Sequence, residues 1–201
     1  MCLISEKEQR REFGYQMNNG EVNYCRFLNG DDQGIVEIIK EYKDGLILFI
    51  NSYVHNIHIA EELTEDVFFS LVVKKPKFTP KHSFKTWLFT IGRNRALNAL
   101  RFHSKVITTD KADVLHLQKE ELNIEKAYIK KEEQILLHQC IQQLLPQYRE
   151  VLYLSYFEML TVKEIAMVTK RNTKQITNLL FRAKEALKDQ LLKEGFDYEE
   201  L

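Results

Sequence analysis

Residue types able to do covalent or metal chemistry are few in this chain and poorly assembled. His55 and His58 stand three apart and could share a metal, yet no Cys or carboxylate at ligand spacing completes a site. Cys2, Cys25 and Cys140 form no CxxC pair, and their odd number and wide separation argue against a zinc knuckle or a disulfide framework. Glu61, Glu62, Glu65 and Asp66 offer neighbouring carboxylates, but no Gly-rich phosphate loop, GxSxG or HExxH accompanies them. No catalytic residue, metal ligand or cofactor is therefore assigned, and enzymatic activity is not expected. The four acids read instead as a solvated face or as a docking surface for another protein.

The chemistry that remains is recognition of nucleic acid by cations, amides and aromatic rings. Twenty-nine Lys plus Arg balance twenty-nine Asp plus Glu, so total charge predicts no partner and distribution must decide. Residues 29–66 carry a net charge of minus seven, whereas residues 67–109 contain no acid and carry plus nine. A third block, residues 170–193, carries plus five. One acidic surface and two basic ones are thus expected.

The most specific spacing lies in the last block. Thr161 is a natural N-cap for a short helix, VKEIAMV, and about four residues separate that helix from another beginning near Asn172. This is helix-turn-helix spacing, with Ala166 small enough for close packing. The second helix presents Lys174, Gln175, Thr177, Asn178 and Arg182 outward, a set able to hydrogen-bond base edges and phosphates in a major groove. The bland alternative is two core helices with a solvated polar face.

A second constellation follows the run KKPKFTPKHS, a rigid basic loop holding two of the three prolines. Ser83 is positioned to cap the helix SFKTWLFTIGRNRALNALR, in which Trp87, Asn94, Asn98 and Arg101 share a stripe at 100° per residue. A ring that stacks on unpaired bases, amides for their edges, and Lys77 and Lys81 for the backbone suit an opened strand. The alternative for Trp87 is an ordinary core tryptophan.

The elements that must position these groups are helices. Seven Gly and three Pro in 201 residues leave few turns, and 44% hydrophobic residues can bury a core, so all-β architectures are nearly excluded. Ile35, Ile38, Ile39, Tyr42, Leu46, Phe49, Ile50 and Tyr53 recur at helical spacing, interrupted energetically by Gly45, which costs about 1 kcal/mol relative to Ala. Ile59, Leu63, Val67 and Leu71 continue the pattern after a break at His55 to His58. Periodicity is lost over residues 104–130, which read as a linker and an entering helix. Pro146 then starts a helix over PQYREVLYLSYFEM. No export h-region and no apolar run of about 20 residues is present, so a soluble protein of the reducing cytosol, without membrane insertion, is expected.

The segments IAEELTEDVFFSLVVKK and SFKTWLFTIGRNRALNALR resemble the second conserved domain of bacterial RNA polymerase sigma factors of the extracytoplasmic-function (ECF) group. LLPQYREVLYLSYFEMLTVKEIAMV with the helix after it resembles the fourth domain. The resemblance spans about residues 27–188 in the family's order, with a linker between. It implies an all-α protein of two small helical domains joined by a flexible linker, the C-terminal one containing the helix-turn-helix. Its divisions would be a variable N-terminal extension at 1–22, domain 2 at 23–104, a linker at 105–130, domain 4 at 131–195 and a tail at 196–201. Met17 is an alternative start to Met1.

The resemblance further implies binding to core RNA polymerase, through its β′ clamp and β flap, to promoter DNA and to an anti-sigma factor. Glu61, Glu62, Leu63, Glu65, Asp66 and Phe69 would dock on the polymerase. Lys77, Lys81, Trp87, Arg93, Asn94, Arg95, Asn98 and Arg101 would open and read the minus-10 element, and Lys174, Gln175, Thr177, Asn178 and Arg182 the minus-35 element. The chain departs from the family's pattern at Lys170, where such turns often carry Gly, and at Leu179, where Arg is common. The function expected is a dissociable specificity subunit directing promoter recognition and melting. The rivals are a helix-turn-helix regulator acting without the polymerase core and an enzyme working on single-stranded nucleic acid.

Overall fold

The computed structural model describes residues 19–79, 82–107 and 132–195. Among them the secondary structure is helical, with no strand. The first lobe comprises α1 (Asn19–Leu28), α2 (Gln33–Val54), α3 (Ile57–Lys74) and α4 (Phe84–Ile107). The second comprises α5 (Glu132–Gln142), α6 (Pro146–Leu152), a π-helical turn (Tyr153–Phe157), α7 (Val162–Thr169) and α8 (Thr173–Lys193).

In the first lobe α2 is the central element, because its apolar positions run around more than one face. Ile38, Leu46, Ile47, Phe49 and Ile50 are fully buried, and α1, α3 and α4 pack on the sides they define. Gly34 lets α1 approach closely: a Cβ there would meet the Asn23 carbonyl oxygen and the Phe27 amide nitrogen. The break between α2 and α3 falls within the expected stretch and has a local cause. His55 adopts the left-handed conformation at φ 53° and donates its N–H to the Asn51 carbonyl, while the Asn56 side chain accepts from the Ile59 amide at 3.0 Å to start α3. Tyr24 ties the basic loop down by donating to the Pro76 carbonyl at 2.8 Å.

Ser83 begins α4 as expected. Its carbonyl accepts from the Trp87 amide and its hydroxyl from the Thr86 amide. The helix then continues to Ile107, beyond the point where periodicity fades in the sequence. The expected linker and C-terminal tail lie largely outside the described residues, as does most of the N-terminal extension.

The second lobe departs from the sequence reading in one element. The sequence pattern predicts one helix from Pro146 through Met159. It ends instead at Leu152, widens into the π turn and closes at Met159, which has φ 54°. A π turn inserts one residue into the helical ladder. Here it stacks Phe157 on Tyr153 at 4.7 Å between ring centroids, with the His138 ring edge-on to both. Leu160 and Ile165 then bury beneath α8, whose Ile176, Ala183, Leu187 and Leu191 close the core.

The lobes are not independent bodies. α7 and the turn before it pack against α4, α6 packs against α2, and the Phe49 and Tyr153 rings approach to 6.2 Å across the junction. Nothing in the sequence pattern announced this contact.

His138 supplies a test of the second lobe's packing. Burial lowers its pKa from the ordinary 6.5 to about 4, so the native state keeps the ring neutral while the unfolded chain protonates it. Stability from this residue is complete above pH 6.5 and declines as pH falls from 6.5 toward 4, by about 1.4 kcal/mol per pH unit. Denaturant unfolding followed between pH 7 and 4 should show this decline, and His138→Phe should flatten it.

Candidate nucleic-acid interface

The helix-turn-helix is built from two capping boxes and one strained turn. Thr161 accepts from the Glu164 amide and donates its own amide to Glu164 Oε2 at 2.9 Å, which fixes the start of α7. Asn172 and Gln175 make the same reciprocal pair at the start of α8, at 2.8 and 3.0 Å. Between them Lys170 sits at φ 56°. The Arg171 amide reaches back to the Ala166 carbonyl at 3.0 Å and the Lys170 amide to Met167 at 3.3 Å, a Schellman closure. A lysine thus occupies the left-handed position that Gly fills at lower cost.

This scaffold turns Lys174, Gln175, Thr177, Asn178 and Arg182 outward, and all five are exposed. Gln175 is partly committed, because its carbonyl oxygen serves the capping box while its amide N–H donors remain available. A groove of ≈ 300 Å³ beside them is lined by Gln147, Arg171, Gln175, Asn178, Leu179 and Arg182. Gln147 comes from the first turn of α6 and carries no sequence signal for this role. Arg171 was visible only as part of the basic block.

On α4 the expected stripe divides. Asn98 and Arg101 are exposed, and Asn94 and Arg95 are half-buried. Trp87 lies among the rings of Tyr24, Phe78 and Phe84, each 5.4 Å away between centroids, and is partly buried. It combines a core role with a solvent-facing edge. Lys77 is exposed in the basic loop, and Lys81 lies outside the described residues. Arg93 is the residue that the structure places elsewhere. Its side chain is only 13% exposed and its Nε donates to Glu150 Oε1 at 2.5 Å, at the junction of the lobes. At 100° per residue it lies off the stripe of Trp87, Asn94, Asn98 and Arg101, on a side of α4 that meets Glu150 of α6.

The acidic helix α3 presents Glu62, Glu65 and Asp66 to solvent with Glu61 and Leu63 half-buried. Phe69, at 67% exposure, and Val73, at 60%, extend the same face, so an apolar patch adjoins the carboxylates. Asp66 lies 3.7 Å from Arg95 of α4, an exposed pair of small energetic weight. Among the described residues no three His, Cys, Asp or Glu gather as a metal site, and no helix is long and apolar enough to cross a membrane.

Two helical lobes, one with a helix-turn-helix, beside an acidic face and two basic ones define a transcription factor that must meet both protein and DNA. Comparison with known proteins narrows the class. Residues 38–106 match the family model for Sigma-70 region 2, and residues 134–187 that for Sigma-70 region 4. The chain is 28% identical over 170 residues to RNA polymerase sigma-H factor of Pseudomonas aeruginosa, covering 81% of this chain and 88% of the relative. It is 25% identical over 170 residues to ECF RNA polymerase sigma factor SigW of Bacillus subtilis, covering 81% and 91%.

Among solved structures, CnrH in complex with the cytosolic domain of CnrY has a TM-score of 0.63 at 17% identity, covering 87% of this chain and 97% of that one. The sigma factor RpoE of Bartonella quintana, in complex with the anti-sigma factor NepR, has a TM-score of 0.60 at 19% identity, covering 77% and 94%. The chain belongs to the ECF group of RNA polymerase sigma factors. It binds core RNA polymerase and directs promoter recognition, so the regulator that acts without the polymerase core is not favoured.

The left-handed Lys170 gives a direct stability test. Lys170→Gly should stabilise the protein by up to about 1 kcal/mol, since relief of backbone strain exceeds the added unfolded-state entropy of Gly. Urea unfolding checks this, and an unchanged or lower midpoint would show that the strain does not exceed that entropy.

Proposed function

We propose that residues 23–104, the greater part of the first lobe, hold the polymerase and the minus-10 element, and that residues 131–195, which include the second lobe, read the minus-35 element. Residues 105–130 serve as the linker, opening with the last residues of α4, with 1–22 as an N-terminal extension that runs into α1 and 196–201 as a tail. The observation that carries the division of labour is the segregation of charge onto separate exposed faces. Glu62, Glu65 and Asp66 adjoin Phe69 on α3, whereas Lys174, Thr177, Asn178 and Arg182 line α8.

Glu61, Glu62, Leu63, Glu65, Asp66 and Phe69 form the polymerase-docking face, where carboxylates surround an apolar anchor. Lys77, Lys81, Trp87, Asn94, Arg95, Asn98 and Arg101 engage the opened minus-10 strand, joined by Arg93 once it is released. The partly buried Trp87 ring offers an edge for an unstacked base, and capture of flipped bases offsets the few kcal/mol that unstacking costs. Gln175 and Asn178 address base edges, with Lys174, Thr177 and Arg182 on phosphates and Arg171 and Gln147 completing the groove. The chain catalyses no reaction itself and works in the cytoplasm. An anti-sigma factor is a further partner, supported by the bound partners of CnrH and RpoE in the solved relatives.

Run-off transcription with core RNA polymerase, with and without this chain, on DNA upstream of its own operon tests the reading. Initiation should depend on the chain. Lys174→Ala and Arg182→Ala should weaken promoter binding similarly across sequences and each flatten the slope of log affinity against log salt by about one. Asn178→Ala should instead relax preference at one base pair, costing about 1–3 kcal/mol on the preferred sequence. No added initiation on any native promoter would sink the assignment.

A further inference from the structure

The basic loop between α3 and α4 is tethered by α1, a helix that lies outside the residues 38–106 matched to Sigma-70 region 2. Lys75 closes α3 in the left-handed conformation at φ 42°, and its ammonium lies 4.8 Å from the centroid of the Phe27 ring of α1. One residue on, the Pro76 carbonyl accepts from Tyr24 Oη at 2.8 Å. Proline has no N–H, so this carbonyl is the one backbone polar group by which the residue can be held. Two residues further, the Phe78 ring rests on Trp87 at 5.4 Å and on Phe84 at 5.8 Å. Lys77, between the two tethers, is exposed.

Tyr24 also holds the other half of this face. Its ring packs on Phe84 and Trp87, both at 5.4 Å between centroids, and it is fully buried. Gly20, one turn earlier on α1, permits the approach, because a Cβ there would collide with the Phe84 ring and the Tyr42 hydroxyl. Burial, with a smaller contribution from Cys25, raises the Tyr24 hydroxyl above its ordinary range, so it stays a donor. One side chain thus touches the loop that carries Lys77 through its hydroxyl and Trp87 through its ring. The core does not need the hydroxyl. Phe at this place would fill nearly the same volume and keep the ring contacts; it would lose the bond to a loop residue 52 positions away.

We propose that Tyr24 is a positioning residue for promoter opening, its hydroxyl fixing the basic loop and its ring fixing Trp87 in the arrangement that receives the opened minus-10 strand. The inference rests on the reading of this loop and α4 as the minus-10 face. Tyr24 is itself enclosed and acts through Lys77 and Trp87. A loop released at Pro76 must be ordered again when the strand is captured, and that lost entropy opposes opening. Recognition of closed duplex by α8 makes no use of the tether.

The experiment reconstitutes Tyr24→Phe with core RNA polymerase on a native promoter and separates two quantities. Closed-complex affinity is measured on duplex DNA, and the rate of opening is followed by permanganate reactivity of unpaired thymines. Tyr24→Phe should open the promoter about three- to ten-fold more slowly, the range set by loss of one hydrogen bond. Its closed-complex affinity should stay within about two-fold of the wild type, as for an independent site. Trp87 is the only tryptophan in the sequence, so its fluorescence in the free protein reads the tether directly. Acrylamide should quench it more strongly in Tyr24→Phe, as Phe78 moves off the ring.

Opening at the wild-type rate, or Trp87 quenching unchanged from the wild type, overturns the proposal. A parallel fall in duplex affinity and opening also overturns it, because a general loss of folded protein does the same. If circular dichroism shows Tyr24→Phe unfolded, Phe78→Leu loosens the same loop where it rests on Trp87 and decides by the same readouts, wild-type opening again refuting the tether. A wild-type chain that supports no initiation with core polymerase removes the functional reading and this inference with it. An active wild type with unresponsive variants refutes the positioning role alone.

Discussion

A carboxylate removed from water loses several kcal/mol of solvation unless donors replace it, and that constraint organises the junction of this molecule. Glu150 satisfies it with Tyr53, Arg93 and Arg171, drawn from α2, α4 and the turn before α8. No one of the three is adjacent to it in sequence. Once α6 is buried with its acid, the positions of two lobes and one turn are set relative to each other. The buried Tyr53 hydroxyl is held protonated, by burial first and then by the neighbouring Glu150 charge. Arg93 is held charged, since the Glu150 bond and charge outweigh the burial that opposes it.

The same constraint divides α4. Phe84, Leu88, Phe89 and Ala96 are buried in the first lobe. Ser83 at its start, with Lys85, Thr86 and Arg93, meets the carboxylates of the second lobe. Asn98 and Arg101 are left at the exposed end. A helix that carries core, junction and solvent faces at once cannot show a clean amphipathic pattern. Its chemistry is therefore harder to read from spacing than that of α8, where the buried stripe of Ile176, Ala183 and Leu187 leaves the other side to solvent.

Local signals were the legible part. Thr161, Asn172 and Ser83 start helices because a short side-chain oxygen at each can accept an otherwise unpaired amide within three residues. Pro146 begins α6 because its missing N–H is not needed there. The five α8 residues chosen for recognition are exposed because helical periodicity places them opposite the core stripe. The π turn at Tyr153–Phe157 has no signature in the apolar periodicity, because its extra residue is favoured by stacking of the Tyr153 and Phe157 rings against His138 of the neighbouring helix α5. Gly45 was legible only as a cost; its purpose lies in a residue more than a hundred positions away, Glu158.

Sequence alone determined the helical class, the main helix starts, the alternation of acidic and basic blocks and the membership implied by two motif-bearing segments. Each depends on residues within a few turns of one another, where propensity, capping and charge act without knowledge of the rest of the chain. Tertiary structure alone decided that Arg93 faces inward, that Trp87 is half enclosed by aromatic rings, and that the acids at 150, 158 and 164 bridge the lobes. Those outcomes turn on burial, and burial is a property of what packs against a residue, which no local pattern of side chains records.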